Sequence, residues 1–201
     1  MIEPETDEEL FIRIHSGDEQ AFVSLYRRRQ AGIFRFALHM SGSEAVAEDV
    51  TQDVFLAVIR DCGYDPRRGT FSGYLYGIAR KLVLRHLDRG RMDPLLESDL
   101  DQAELPELAT IHDPLAEMTH REGIEALRRA VMALPRRYRE VVVLCDLEEV
   151  DYAEAAEVLG CPIGTVRSRL HRARGLLLEK LNQEKQKRAG VSMLKPARCV
   201  I

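Results

Sequence analysis

Residues 152–174 read YAEAAEVLGCPIGTVRSRLHRAR, and this stretch decides the fold. Tyr152 to Leu159 form a short amphipathic helix, Gly160 supplies the positive φ that ends it, and Pro162 cannot continue it. The next helix therefore starts near Ile163. Within it Ile163, Val166, Leu170, Ala173 and Leu177 share one stripe directed at the preceding helix, which turns Arg167, Ser168, His171 and Arg172 outward. Helix, glycine turn and helix together predict a helix-turn-helix. Arg pairs bidentately with guanine or grips phosphate, Ser donates to either, and the N-terminus of the second helix favours a phosphate near Gly164 and Thr165. A basic strip on an isolated helix fits a solvated face as well; the three-part arrangement favours duplex DNA.

Outward from this segment, apolar residues recur three and four apart almost everywhere, with few alternating β-branched runs. The fold class is all-α: two small helical domains joined by an acidic linker, the C-terminal one containing the helix-turn-helix. The spacing predicts helices over Asp7–His15, Glu19–Met40, Glu44 to about Arg60 and Phe71 to about Arg89, with Gly63–Gly69 as a loop bracketed by glycine and holding Pro66. Ile124, Leu127, Val131 and Leu134 mark a helix before Pro135, and the apolar run Val141–Leu144 follows it. The expected divisions are 7–91 for the first domain, 92–119 for the linker, 120–182 for the second domain and 183–201 for a flexible basic tail.

The 201 residues are 45% hydrophobic and 31% charged, with 13 Gly and 8 Pro, as in a folded globular chain. Net charge is −4, which taken alone opposes DNA binding, because phosphate affinity grows with the number of cationic contacts. The charge is segregated, however. Asp93 to Glu117 holds eight acidic residues and no Lys or Arg, whereas Ile163 to Arg188 holds eight basic residues against Glu179 and Glu184. The acidic start (Glu3, Glu5, Asp7, Glu8, Glu9) is unlike a secretory signal, and no apolar run reaches membrane-spanning length, so membrane insertion is not expected. Cys62, Cys145, Cys161 and Cys199 lie far apart and form no CxxC and no Cys/His pair with metal spacing, so neither a disulfide framework nor a zinc site is indicated, which fits a reducing, cytoplasmic setting. No Gly-rich phosphate loop, nucleophile elbow or His/carboxylate cluster points to an enzyme, a cofactor or a small-molecule substrate.

Residues 152–174 closely resemble the promoter-reading motif of extracytoplasmic-function (ECF) sigma factors, with Pro162 to Arg169 as its core. Two further stretches agree: Ala47 to Phe55 (AEDVTQDVF) looks like that family's polymerase-docking helix, and Phe71 to Arg80 (FSGYLYGIAR) like its promoter-melting helix. The resemblance covers roughly residues 7–182. It implies a chain that binds core RNA polymerase and promoter DNA, with an anti-sigma factor as a further expected partner. Docking falls to Glu48, Asp49, Gln52 and Asp53, an acidic and amide face that also suits simple solvation. Minus-ten recognition falls to Tyr64, Arg67, Arg68, Phe71, Ser72, Tyr74, Arg80, Lys81 and Arg85, with the Tyr64–Thr70 loop cradling a flipped base. Phe71 and Tyr74 fit core positions equally well. Minus-thirty-five contacts fall to Thr165, Arg167, Ser168, His171 and Arg172. Ile59 and Tyr74 stand where many members of the family have Trp. An autonomous repressor or activator would share the helix-turn-helix but not the docking and melting stretches.

Overall fold

The computed structural model describes residues 5–60, 63–90 and 120–192. The acidic linker, Cys62, Cys199 and the tail beyond 192 lie outside these. All regular structure among the described residues is helical: α1 (Asp7–His15), α2 (Glu19–Ser41), α3 (Glu44–Arg60), α4 (Phe71–Gly90), α5 (His120–Met132), α6 (Arg136–Val142) continued by a π-helical turn (Val143–Leu147), α7 (Tyr152–Leu159) and α8 (Ile163–Ser192).

Local chemistry sets these limits. Thr6 and Glu9 form a reciprocal capping box at the start of α1. Asp18 accepts from the Gln20 and Ala21 amides to start α2, and Gly42 ends it at φ 72°. Buried Asp7 ties α1 to α2 through Arg28, at 2.6 Å, and Arg29. The first domain buries Leu10, Leu25, Ile33, Phe36, Met40, Val50, Val54, Val58, Leu75 and Val83 between α1–α4. In the second, α8 is the spine on which α5, α6 and α7 pack, closing over Leu134, Tyr138, Val141, Leu144, Val166 and Leu170.

The run Val141–Leu144 is buried at every position, which a helix achieves only when it is enclosed on all sides. The turn after it opens to π geometry, with the Glu148 amide donating to the Val143 carbonyl five residues back. Glu149 then takes φ 56°, outside the range most side chains prefer.

Two details differ from the sequence reading, and one is new. Ile163 is 40% exposed, because the stripe of α8 that faces α7 begins one turn later, at Val166. The stretch expected as a tail from 183 is helical as far as Ser192 within α8, and Glu184 pairs with Arg129 of α5 at 3.1 Å. The two domains also pack directly on one another, α4 against α7 and α2 against α5 and the π turn.

Candidate nucleic-acid interface

Helix α7 is started by Asp151, whose carboxylate accepts from the Ala153 and Glu154 amides, and is stopped by Gly160 at φ 64°, ψ 37°. The turn delivers the chain to Pro162, whose carbonyl accepts the Thr165 and Val166 amides at 2.8 and 3.2 Å. Val166, Leu170 and Ala173 seat α8 against its neighbours. Arg167, Ser168 and His171 are then exposed together on the opposite side, with Thr165 and Arg172 half-buried beside them. The Ser168 hydroxyl donates to the Thr165 carbonyl at 3.0 Å. Arg174, one turn on, is held by Asp146 at 2.6 Å, which fixes the strip's far end and raises the guanidinium pKa further.

On α3, Glu48, Asp49, Gln52 and Asp53 are all exposed, on the side away from buried Val50, Val54 and Val58. The same face continues into two apolar side chains, Leu56 (42% exposed) and Ile59 (47% exposed). Sequence reasoning noted Ile59 only as a departure from Trp and passed over Leu56. Their phase on the helix, with Leu56 at i+4 from Gln52 and i+3 from Asp53 and Ile59 at i+3 from Leu56, was the available signal.

The loop before α4 is built on Asp65, whose carboxylate accepts the Arg67 amide and whose carbonyl accepts the Arg68 amide, both at 3.0 Å. Thr70 caps α4, its hydroxyl accepting the Gly73 amide at 3.0 Å. Tyr64 lies over this loop with its hydroxyl 3.2 Å from the Gly69 carbonyl and 3.4 Å from the Glu8 carboxylate; burial raises its pKa, and the nearby Glu8 charge adds to the effect. A cavity of about 390 Å³ opens here, lined by Tyr64, Arg68, Thr70, Tyr74 and Lys81 of the first domain and by Glu157 and Val158 of the second.

The structure separates the nine residues expected at the minus-ten element. Tyr64, Arg68, Tyr74 and Lys81 share the cavity, and Arg67 and Arg85 are exposed. Ser72 lines an adjoining polar cleft with Thr70 and Arg28. Phe71 is 0% exposed, its ring wedged against Phe11 and Tyr64 (centroids at 5.1 Å from each) and Tyr74 (5.9 Å), which leaves no open ring face in this arrangement and favours the core position. Arg80 points into the second domain and pairs with Glu140 at 3.2 Å.

A helical domain with an exposed acidic face and an aromatic, cationic cavity, followed by a helix-turn-helix domain, is the layout of an RNA polymerase sigma factor. Comparison with known proteins agrees at both ends of the chain: Sigma-70 region 2 matches residues 25–92 and Sigma-70 region 4 matches residues 124–177. The ECF RNA polymerase sigma factor SigE of Mycolicibacterium smegmatis is 39% identical over 83% of this chain, which spans 65% of that longer relative. The ECF RNA polymerase sigma-E factor of Escherichia coli K12 is 34% identical over 87% of this chain and 93% of its own length. Among solved structures, CnrH in complex with the cytosolic domain of CnrY superposes with a TM-score of 0.67 at 26% identity, covering 89% of this chain and 99% of that one. The sigma factor RpoE of Bartonella quintana, in complex with the anti-sigma factor NepR, shares the fold at a TM-score of 0.56 and 22% identity, over 80% of this chain and 96% of that one. The chain belongs to the ECF RNA polymerase sigma factors.

Proposed function

We propose that this chain binds core RNA polymerase and directs initiation at promoters whose minus-ten element is read by α4 and its preceding loop and whose minus-thirty-five element is read by the N-terminal half of α8. The observation that carries the reading is the joint exposure of two different surfaces on one chain: the acidic and apolar face of α3, suited to a protein partner, and the Arg167, Ser168 and His171 strip of α8, suited to a major groove. A regulator acting alone has no use for the first.

The division of labour follows the two domains, 7–91 and 120–182. Glu48, Asp49, Gln52 and Asp53 meet cationic groups on the polymerase, with Leu56 and Ile59 adding apolar area beside them. Tyr64, Arg67, Arg68, Tyr74, Lys81 and Arg85 supply aromatic and cationic contacts to the opened strand, which needs stacking partners and phosphate neutralisation to stay open. Thr165, Arg167, Ser168, His171 and Arg172 contact the upstream duplex. No bond is made or broken by the chain itself; it directs the polymerase's own active site, in the cytoplasm where the polymerase works. The partner chains in the CnrH and RpoE complexes support an anti-sigma factor as the regulator.

The test is transcription in vitro with core polymerase across a promoter library, comparing the wild-type chain with Arg167→Ala/Arg172→Ala. Promoter-dependent initiation is expected from the wild type. The double variant should keep core binding while losing upstream contacts, at about 1–3 kcal/mol for each base-reading arginine, or roughly one unit of salt slope for each that holds phosphate. Initiation from no template in the library would refute the reading.

A further inference from the structure

Gly69, Gly73 and Gly77 all line the cavity beside the Tyr64–Thr70 loop, and the fold itself accounts for the first two. Gly69 takes φ 148°, and a β-carbon there would lie 2.0 Å from Glu157 Oε2. At position 73 a β-carbon would lie 3.1 Å from Glu154 Cγ and 3.2 Å from Thr70 Oγ1, crowding the hydroxyl that caps α4. Gly77 has neither reason. It lies inside α4 without a positive φ. A β-carbon built on it would meet nothing within 4 Å, although Glu157 and Val158 line the same cavity.

After proline, glycine is the residue least favourable to a helix interior, since it gives up the most backbone freedom on folding. Alanine at position 77 would displace nothing in the folded chain, so packing does not call for glycine there. What surrounds the gap is chemically ordered. Tyr74, Gly77 and Lys81 stand at i, i+3 and i+7 and share one side of α4, and all three line the cavity. Tyr74 brings an aromatic ring and Lys81, which is exposed, an ammonium group. Between them lies bare helix, over a rise of about 10.5 Å from Tyr74 to Lys81. Ring, bare surface and cation follow one another as base, sugar and phosphate do along an opened strand. A base stacks on a ring and a phosphate is held by a cation; the sugar between them needs only room to approach.

We infer that Gly77 is a further binding residue of the minus-ten surface: the notch it leaves seats a deoxyribose of the opened strand directly against the α4 backbone, with its base toward Tyr74 and a neighbouring phosphate at Lys81. A side chain at position 77 stands where the sugar lies and holds the strand off both partners, without disturbing the protein. Gly77 acts through room rather than through a bond, which is why neither charge nor aromaticity marks it in the sequence. The inference rests on the minus-ten reading of α4 and adds to it a residue that carries no functional group.

The experiment compares the full chain, bound to core polymerase, with Gly77→Ala and Gly77→Leu, and with Tyr74→Ala and Lys81→Ala as references. Because position 77 meets nothing, the urea midpoint of the first domain should be unchanged or higher in both glycine variants, by about 0.5 M for alanine. Promoter opening, read by permanganate reactivity of thymines, should fall by about tenfold or more in Gly77→Leu, the loss expected when one base is kept from its ring, and by less in Gly77→Ala. On a template opened in advance, a three-carbon spacer in place of one minus-ten nucleotide removes its sugar and base and keeps its phosphate. At one position that spacer should bring Gly77→Leu and the wild type to the same affinity. Wild-type opening by Gly77→Leu, a midpoint that falls in either glycine variant, or a defect that no spacer position removes would each overturn the seat. Defects in Tyr74→Ala and Lys81→Ala without one in Gly77→Leu overturn the seat and leave the minus-ten reading standing, whereas wild-type opening by all four variants overturns both.

Discussion

Replacing Phe71 separates a core residue from a base-stacking one, the choice that the sequence leaves open. The ring is fully buried and touches Phe11, Tyr64 and Tyr74. Truncating a buried Phe to Ala costs about 3–5 kcal/mol, the transfer free energy plus the cavity left behind. With a urea dependence of about 2 kcal/mol per molar, the unfolding midpoint of the first domain should fall by about 2 M. Phe71→Leu keeps most of the volume and should cost only about 1–1.5 kcal/mol, a midpoint shift of under about 1 M. The chain has no Trp, but Tyr26, Tyr64, Tyr74 and Tyr76 all sit in the first domain, so near-ultraviolet circular dichroism of tyrosine follows its unfolding. Permanganate reactivity of promoter thymines, measured on the same proteins with core polymerase, reports strand opening. Phe71→Leu should open promoters as the wild type does. A Phe71→Leu chain that stays stable but fails to open them would show that a base stacks on this ring and would refute the burial argument.

His39 and Cys145 give two further expectations. Burial lowers the His39 pKa, and Arg128 of the second domain and Arg35 lower it further. A depressed histidine contributes stability above its unfolded value of about 6.5 that is lost as pH falls through the folded value. Stability, read by the urea midpoint, should therefore fall on acidification below about pH 6.5, and His39→Asn should flatten that dependence; an unchanged profile in the variant would count against it. Burial, helped by Asp146, pushes the Cys145 thiol up to about 11, so at pH 8 its alkylation by iodoacetamide should run roughly a hundredfold slower than that of an unperturbed thiol. Labelling at the rate of a free thiol would contradict the burial of that turn. The same raised value means that whatever stability the neutral thiol contributes is fully present below its ordinary range and is lost progressively as pH rises from there through about 11.

Most helix boundaries were legible because each is marked by chemistry local to it. Thr6, Asp18 and Asp151 are side-chain caps, Gly42 and Gly160 are left-handed stops, and apolar spacing does the rest. The recognition strip was legible for the same reason, since phase along α8 alone decides which side Arg167 and His171 occupy. Phe71 was not, because a cap-proximal aromatic fits core and surface by period equally well, and only the arrival of Phe11 from α1 and Tyr64 from the loop encloses it. The contact between the domains left no periodic trace at all. Arg35 and Glu148 stand 113 residues apart, are both polar, and in sequence read as ordinary solvated charges. Leu56 and Ile59 went unremarked as a pair because an exposed apolar residue resembles a core one until the core is known.

The π turn at Val143–Leu147 makes the placement of the helix-turn-helix a matter of residue count. An α-helix turns by about 100° per residue, and a π turn takes up one residue more than the α-helix it replaces. Removing a single residue from this turn would let it rewind to α geometry with the flanking residues still in phase, so Glu148 keeps its side toward Arg35 while Asp151 still caps α7 and Gly160 still aims α8. A deletion in the α-helical part of the same helix has no such slack and would turn everything beyond it by about 100°.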